Sequence, residues 1–152
     1  FQDVLEAANV QLARLTNGRY QFELATESHG AGAKWSGLEV NVYDDNAGKT
    51  RSARTLSGGE SFMASLALAL ALCQIIQEQS GGISIDALFI DEGFGSLDQQ
   101  ALADALQALQ ELEGHRMIGI ISHVTELEDQ IPDQLLVRSL NGRSTVSYQH
   151  EL

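Results

Sequence analysis

An α/β fold is predicted, in which two parallel strands joined by a crossover helix stand beside a small antiparallel sheet. Three features of the chain predict it. Residues 85–90 and Met117–Ile121 are short apolar runs ended by polar loops, the pattern of strands buried on both faces. The segment between them carries a helical pattern to about Glu113, so strand, helix and strand follow in the order of a right-handed crossover. Residues 20–24 and 38–43 alternate or are β-branched, and Asp44-Asp45-Asn46-Ala47-Gly48 supplies a turn, which suits antiparallel pairing.

Taken in order, the chain opens with Phe1, Leu5, Ala8, Leu12 and Leu15 at steps of four, three, four and three, one face of a helix. The face fits either the end of a coiled coil or an amphipathic helix packed on a core. Asn17-Gly18 ends it. After the small sheet, where Trp35 is expected to pack in the core or at an interface, residues 57–79 are rich in Ala and Leu. Ser57 and Glu60 frame a capping box, and Gly81-Gly82 closes this long buried helix. Beyond the parallel strands, a short helix from Thr125 precedes Pro132, and residues 134–140 and 144–148 flank Asn141-Gly142 as a closing hairpin.

The 152 residues, 43% of them hydrophobic, are enough for one compact lobe with a core. The longest apolar stretch, residues 66–73, is about half of what a bilayer crossing needs, so no membrane role is expected. The chain starts with Phe-Gln-Asp and shows no signal-peptide pattern, which reads as part of a longer protein. Cys73 alone excludes an internal disulfide, fits a reducing cytoplasmic setting and reads as a small buried helix residue. With 21 acidic against 9 basic side chains, the net charge of −12 opposes tight binding of a polyanion by this chain alone.

Four short motifs carry possible chemistry. Leu56-Ser57-Gly58-Gly59-Glu60 opens the long helix, where unpaired N–H groups, two glycines and a hydroxyl suit a phosphate; the same pentapeptide also makes a plain capped helix start. Ala87-Leu88-Phe89-Ile90-Asp91-Glu92 delivers two adjacent carboxylates at a strand end, Asp91 suited to a hydrated Mg²⁺ and Glu92 to orienting or deprotonating water. Asp98, after Gly93-Phe94-Gly95-Ser96-Leu97, fits a helix N-cap whether or not it has a second role. His123 follows the second strand, where a lone histidine is more often structural than chemical. Gly48-Lys49-Thr50 has the ending of a phosphate-binding P-loop, but Tyr43 stands where that pattern needs Gly, and no room is left for its helix, so these residues are expected in a hairpin. The four histidines, His29, His115, His123 and His150, show no ligand spacing.

The order and spacing of these elements resemble the second half of an ABC-type ATPase head, a P-loop NTPase fold. Leu56 to Glu60 matches the signature motif, Phe89-Ile90-Asp91-Glu92 the Walker B strand, Ser96-Leu97-Asp98 the D-loop, and Ile121-Ser122-His123 the switch histidine. Glu60, where transporter ATPases usually carry Gln, and the proline-free loop after Glu92 most resemble the SbcC-like group of SMC-like ATPases. Transporter, RecN-like and chromosome-organising ATPases are the rival relatives.

The resemblance implies a C-terminal head lobe over residues 17–152, entered by a helix over 1–16 from a coiled-coil base, with the Walker A lobe in a separate N-terminal half. It implies ATP and Mg²⁺ as cofactors and the pairing of two heads. Ser57, Gly58, Gly59 and Glu60 would then face the nucleotide of the opposite head, with Ser96 and Asp98 at the interface. Asp91 would hold Mg²⁺ through water, Glu92 would position the attacking water and His123 would sense the γ-phosphate. An SbcD-like nuclease partner and DNA reached through the whole complex are implied too. A face prepared for the missing half would leave an edge strand and apolar surface uncovered.

Overall fold

The computed structural model describes residues 2–24, 40–79, 81, 84–113 and 116–150. Phe1, His29, Trp35, Leu38, Gly82 and His115 lie outside them. The chain divides into two compact units, Phe1–Ile121 and Ser122–Leu152.

In the first unit, α1 (Gln2–Leu15) buries Leu5, Ala8, Leu12 and Leu15, the face anticipated from their spacing, and packs on α2 (Gly58–Gln79) and α3 (Gln99–Glu113). Each fully buried leucine contributes about 1.5 to 3 kcal/mol. Asn17 and Gly18 take left-handed backbone, and the Gly18 N–H returns to the Ala13 carbonyl at 2.8 Å, which ends the helix. The reversal delivers the chain into β1 (Tyr20–Leu24), which pairs antiparallel with β2 (Val40–Asp44), itself antiparallel to β3 (Lys49–Ser52).

Gly48 has φ +60°, while Lys49 and Thr50 lie in β3 opposite Asp44 and Tyr43. Gly48-Lys49-Thr50 is therefore one arm of a hairpin, and Thr50 Oγ1 donates to Glu23 at 2.8 Å. The turn is legible in the sequence; the third strand is not.

Helix α2 is long and apolar enough to cross a membrane by length and composition. One of its faces, from Met63 to Ala71, is nevertheless core, and its first turn holds a charged capping carboxylate. Leu72 and Ile76 are exposed, and Cys73 is only partly buried, less than expected.

Strands β4 (Ala87–Asp91) and β5 (Met117–Ile121) pair in parallel, Ala87 opposite Met117 and Asp91 opposite Ile121, with α3 as the crossover. The expectation of strands buried on both faces is corrected. Phe89, Met117 and Ile121 are 64%, 59% and 54% exposed, while Leu88, Ile90, Ile118 and Ile120 on the other face are half-buried. A two-stranded ribbon with one crossover helix covers one face only. Gly119 leaves room for the Phe89 ring, which a Cβ there would meet at 2.5 Å.

The second unit holds a 3₁₀ turn at Thr125–Leu127 and the hairpin of β6 (Asp133–Leu140) and β7 (Arg143–His150). Its turn residues Asn141 and Gly142 both have positive φ, as a tight two-residue hairpin requires.

Candidate functional site

The N-terminus of α2 is a reciprocal capping box. The Ser57 N–H donates to Glu60 Oε2 at 2.8 Å, and the Glu60 N–H donates to Ser57 Oγ at 3.3 Å. Gly59 lies against the loop that follows β4, where a Cβ would stand 2.7 Å from the Ser96 carbonyl oxygen; at Gly58 the nearest atom, Ser96 Cβ, is at 3.6 Å. Gly59 thus permits a close approach of helix start and loop. Phe94, 1% exposed, meets Phe62 of α2 edge to face at 4.9 Å and anchors that loop.

At the end of β4 the backbone turns sharply. Glu92 has φ +60°, rare for a residue with a side chain, and Gly93 has φ +101°. The Glu92 N–H donates to the Ile121 carbonyl at 2.8 Å, which keeps the turn at the C-terminal edge of both parallel strands. Asp91 and Glu92 are exposed there. Ser96 Oγ closes the 3₁₀ turn on the Gly93 carbonyl at 2.8 Å, and Asp98 caps α3 by accepting from the Ala101 N–H at 2.8 Å.

Ser57, Gly59, Glu60, Ser96 and Asp98 line one groove of about 330 Å³, together with Arg19, Tyr20 and Asp104. These anticipated residues therefore come together in one place. Asp91 and Glu92 stand apart from that groove at the strand end, and His123 belongs to the second unit, two residues beyond β5.

A charged cluster behind Glu60 was not anticipated. Tyr20 Oη donates to Glu60 Oε1, Arg51 Nη2 lies 3.4 Å from Glu60 Oε2, and Arg19 Nη1 lies 3.8 Å from Oε1. Buried Asp44 accepts both arms of the Arg19 fork at 3.3 Å, which holds its carboxyl below the usual range. Burial alone would raise Glu60, but hydrogen bonds from Tyr20, Ser57 and Arg51 outweigh it and bring its pKa down to about 2. Burial and the Glu60 hydrogen bond push Tyr20 up to about 12. The only hint in the sequence is that Arg19 and Tyr20 follow the Asn17-Gly18 helix stop, which does not say what they face.

The donor set suits phosphate and a hard cation: a hydroxyl and free N–H groups at a helix start, and adjacent carboxylates at a strand end. Among the described residues no three His, Cys, Asp or Glu side chains converge as a metal site of their own.

Comparison with known proteins bears on the family and the fold. Residues 32–111 match the family described as SbcC/RAD50-like, Walker B motif. The SbcC subunit of the SbcCD nuclease from Lactococcus lactis is 45% identical over 147 residues, covering 95% of this chain and 14% of that protein. Its counterpart from Treponema pallidum is 48% identical over 145 residues, with coverage of 95% and 14%. The chain thus spans about one seventh of the length of these curated relatives. Among solved structures, one from work on ATP-driven dimerization and DNA-stimulated activation of SMC ATPases superimposes with a TM-score of 0.71 at 18% identity, covering 97% of this chain and 83% of the other. The SMC head domain of Thermotoga maritima gives 0.64 at 21%, covering 100% and 49%. The fold is that of an SMC-type ATPase head lobe, and the chain belongs to the SbcC/RAD50-like Walker B family.

Proposed function

We propose that this chain is the C-terminal lobe of the ATP-hydrolysing head of an SbcC-like DNA-repair protein, residues 17–152 forming the lobe and residues 1–16 leading from a coiled coil. The observation that carries the reading is the packing of Gly59 on the Ser96 carbonyl, which sets Ser57 and Asp98 on one groove apart from the Asp91-Glu92 strand end. One lobe then offers two half-sites. Asp91 and Glu92 serve the nucleotide of their own head, with His123 as its γ-phosphate sensor. Ser57, Gly58, Gly59 and Glu60 serve the γ-phosphate of a second head, with Ser96 and Asp98 between them.

In that arrangement the α2 N-terminus binds phosphate through Ser57 Oγ and free N–H groups, adding the positive end of the helix dipole. Bound Mg²⁺ would neutralise phosphate charge beside Asp91. Glu92 orients water and accepts its proton; the left-handed turn at Glu92 and Gly93 fixes where that carboxylate leaves the strand.

Closure of two heads on ATP would gate an SbcD-like nuclease acting on DNA ends, in the cytoplasm and without a membrane. A second reading, the head of a chromosome-organising ATPase, draws on the likeness to SMC heads, but identity near 18% there against 45% to SbcC proteins favours the first. Copurification with a nuclease partner separates them. In the full-length protein, Glu92→Gln should retain ATP while turnover falls by a factor of about 10² to 10⁴. Turnover within about threefold of wild type would refute the assignment.

A further inference from the structure

Glu60 is the pivot of the signature turn, and what holds Glu60 comes from elsewhere in the chain. Its Oε2 accepts from the Ser57 N–H at 2.8 Å and from Arg51 Nη2 at 3.4 Å, while Oε1 accepts from Tyr20 Oη. The other arm of the Arg51 fork, Nη1, donates to the Thr55 carbonyl at 2.7 Å and to Thr55 Oγ1 at 3.1 Å. One guanidinium therefore ties the capping carboxylate to the loop two residues ahead of Ser57. A point charge could satisfy one of these acceptors but not hold both in this geometry, as the planar fork does.

Tyr20 and Arg51 are themselves fixed. Tyr20 is 5% exposed at the start of β1, with the Arg19 and Arg51 guanidinium carbons 4.6 Å and 5.8 Å from its ring centroid. Arg51 pairs in β3 with Val42 of β2, and its Nη2 lies 3.6 Å from buried Asp44, which also grips Arg19. The three-stranded sheet that follows α1 thus reaches the signature turn through polar contacts with defined geometry.

We propose that Tyr20 and Arg51 are positioning residues for the signature serine: they hold Glu60 and the Thr55 loop, and so set the pose in which Ser57 meets phosphate. This rests on the role given to Ser57 above. The cluster also accounts for glutamate at position 60. A carboxamide there would turn one acceptor into a donor, set either against the Arg19 guanidinium beside Tyr20 or against the Arg51 guanidinium and the Ser57 N–H.

The test uses the full-length protein. Tyr20→Phe removes one hydroxyl and keeps the ring; Arg51→Lys keeps the charge and loses the fork. Each is expected to lower kcat for ATP about tenfold with KM within twofold, since the nucleotide of each head is held by its own P-loop rather than by the opposing serine. Combined with Ser57→Ala, neither should reduce kcat further than Ser57→Ala alone, a non-additivity that general loosening of the fold would not produce. Turnover by both variants within twofold of wild type, or losses that multiply with that of Ser57→Ala, overturns the proposal while leaving the ATPase reading intact. A full-length wild type that does not hydrolyse ATP overturns both, whereas a Ser57→Ala variant with full activity overturns the role of Ser57 and, with it, the proposal.

Discussion

Gly58 and Gly59 are neighbours in sequence, yet a side chain would meet different things at each. At Gly58 a Cβ finds ordinary contact at 3.6 Å, whereas at Gly59 it would stand 2.7 Å from a backbone carbonyl oxygen, which cannot swing aside as a side-chain end can. Gly59→Ala should therefore force α2 and the loop after β4 apart, at about 1 to 3 kcal/mol, while Gly58→Ala should leave stability nearly unchanged. Thermal unfolding of the complete head distinguishes them; equal losses would contradict the close approach. The same loop carries a second constraint at Gly93, where φ +101° and a Cβ 2.2 Å from the Phe62 ring both exclude a side chain. The glycines and the carboxylates are legible in the sequence because those motifs are local. That Gly59 touches Ser96 is not, since the contact is made only when α2 and the β4 loop fold together.

Among the elements, the capping box of α2 was legible because Ser57 and Glu60 are three residues apart, and a helix brings them together whatever surrounds it. The partners of Glu60 were not, because Tyr20 and Arg51 come from β1 and β3 and reach it only through the register of the small sheet. These partners give the element a pH signature. Glu60 is held at about 2 against an ordinary 4.5, so its contribution, about 2 to 3 kcal/mol at most, is complete above pH 4.5 and is lost as pH falls through about 2. Tyr20 is raised to about 12 from 10, so its hydroxyl contributes fully below pH 10 and loses its effect as pH rises through 12. Urea unfolding of the head should show a stability gap between wild type and Glu60→Gln that is constant from about pH 5 to 9 and narrows below about pH 4. A gap independent of pH down to about 2 would mean that Glu60 is not held as a carboxylate.

For the molecule as a whole, the parallel strand pair and its crossover were legible from two apolar runs and the helical pattern between them, but not which face would be covered. Apolar composition says that a strand is meant to be buried; it does not say by which part of a protein. In the first unit Phe89, Met117 and Ile121 share one exposed face of the ribbon, and Leu72 and Ile76 are exposed on α2. On the proposed function that surface would meet a further lobe, which would also supply the phosphate-binding loop, since Gly48-Lys49-Thr50 lie in a hairpin. Titration calorimetry should accordingly detect no ATP–Mg²⁺ binding by the chain alone and clear binding once it is mixed with the P-loop lobe of its full-length parent. Ser57 and the α2 N-terminus by themselves offer only a few N–H groups and one hydroxyl to a highly charged ligand, too little to hold it against solvation in water. Micromolar binding by the chain alone would show that the hairpin opens to accept nucleotide, and the division of the site between two lobes would have to be abandoned.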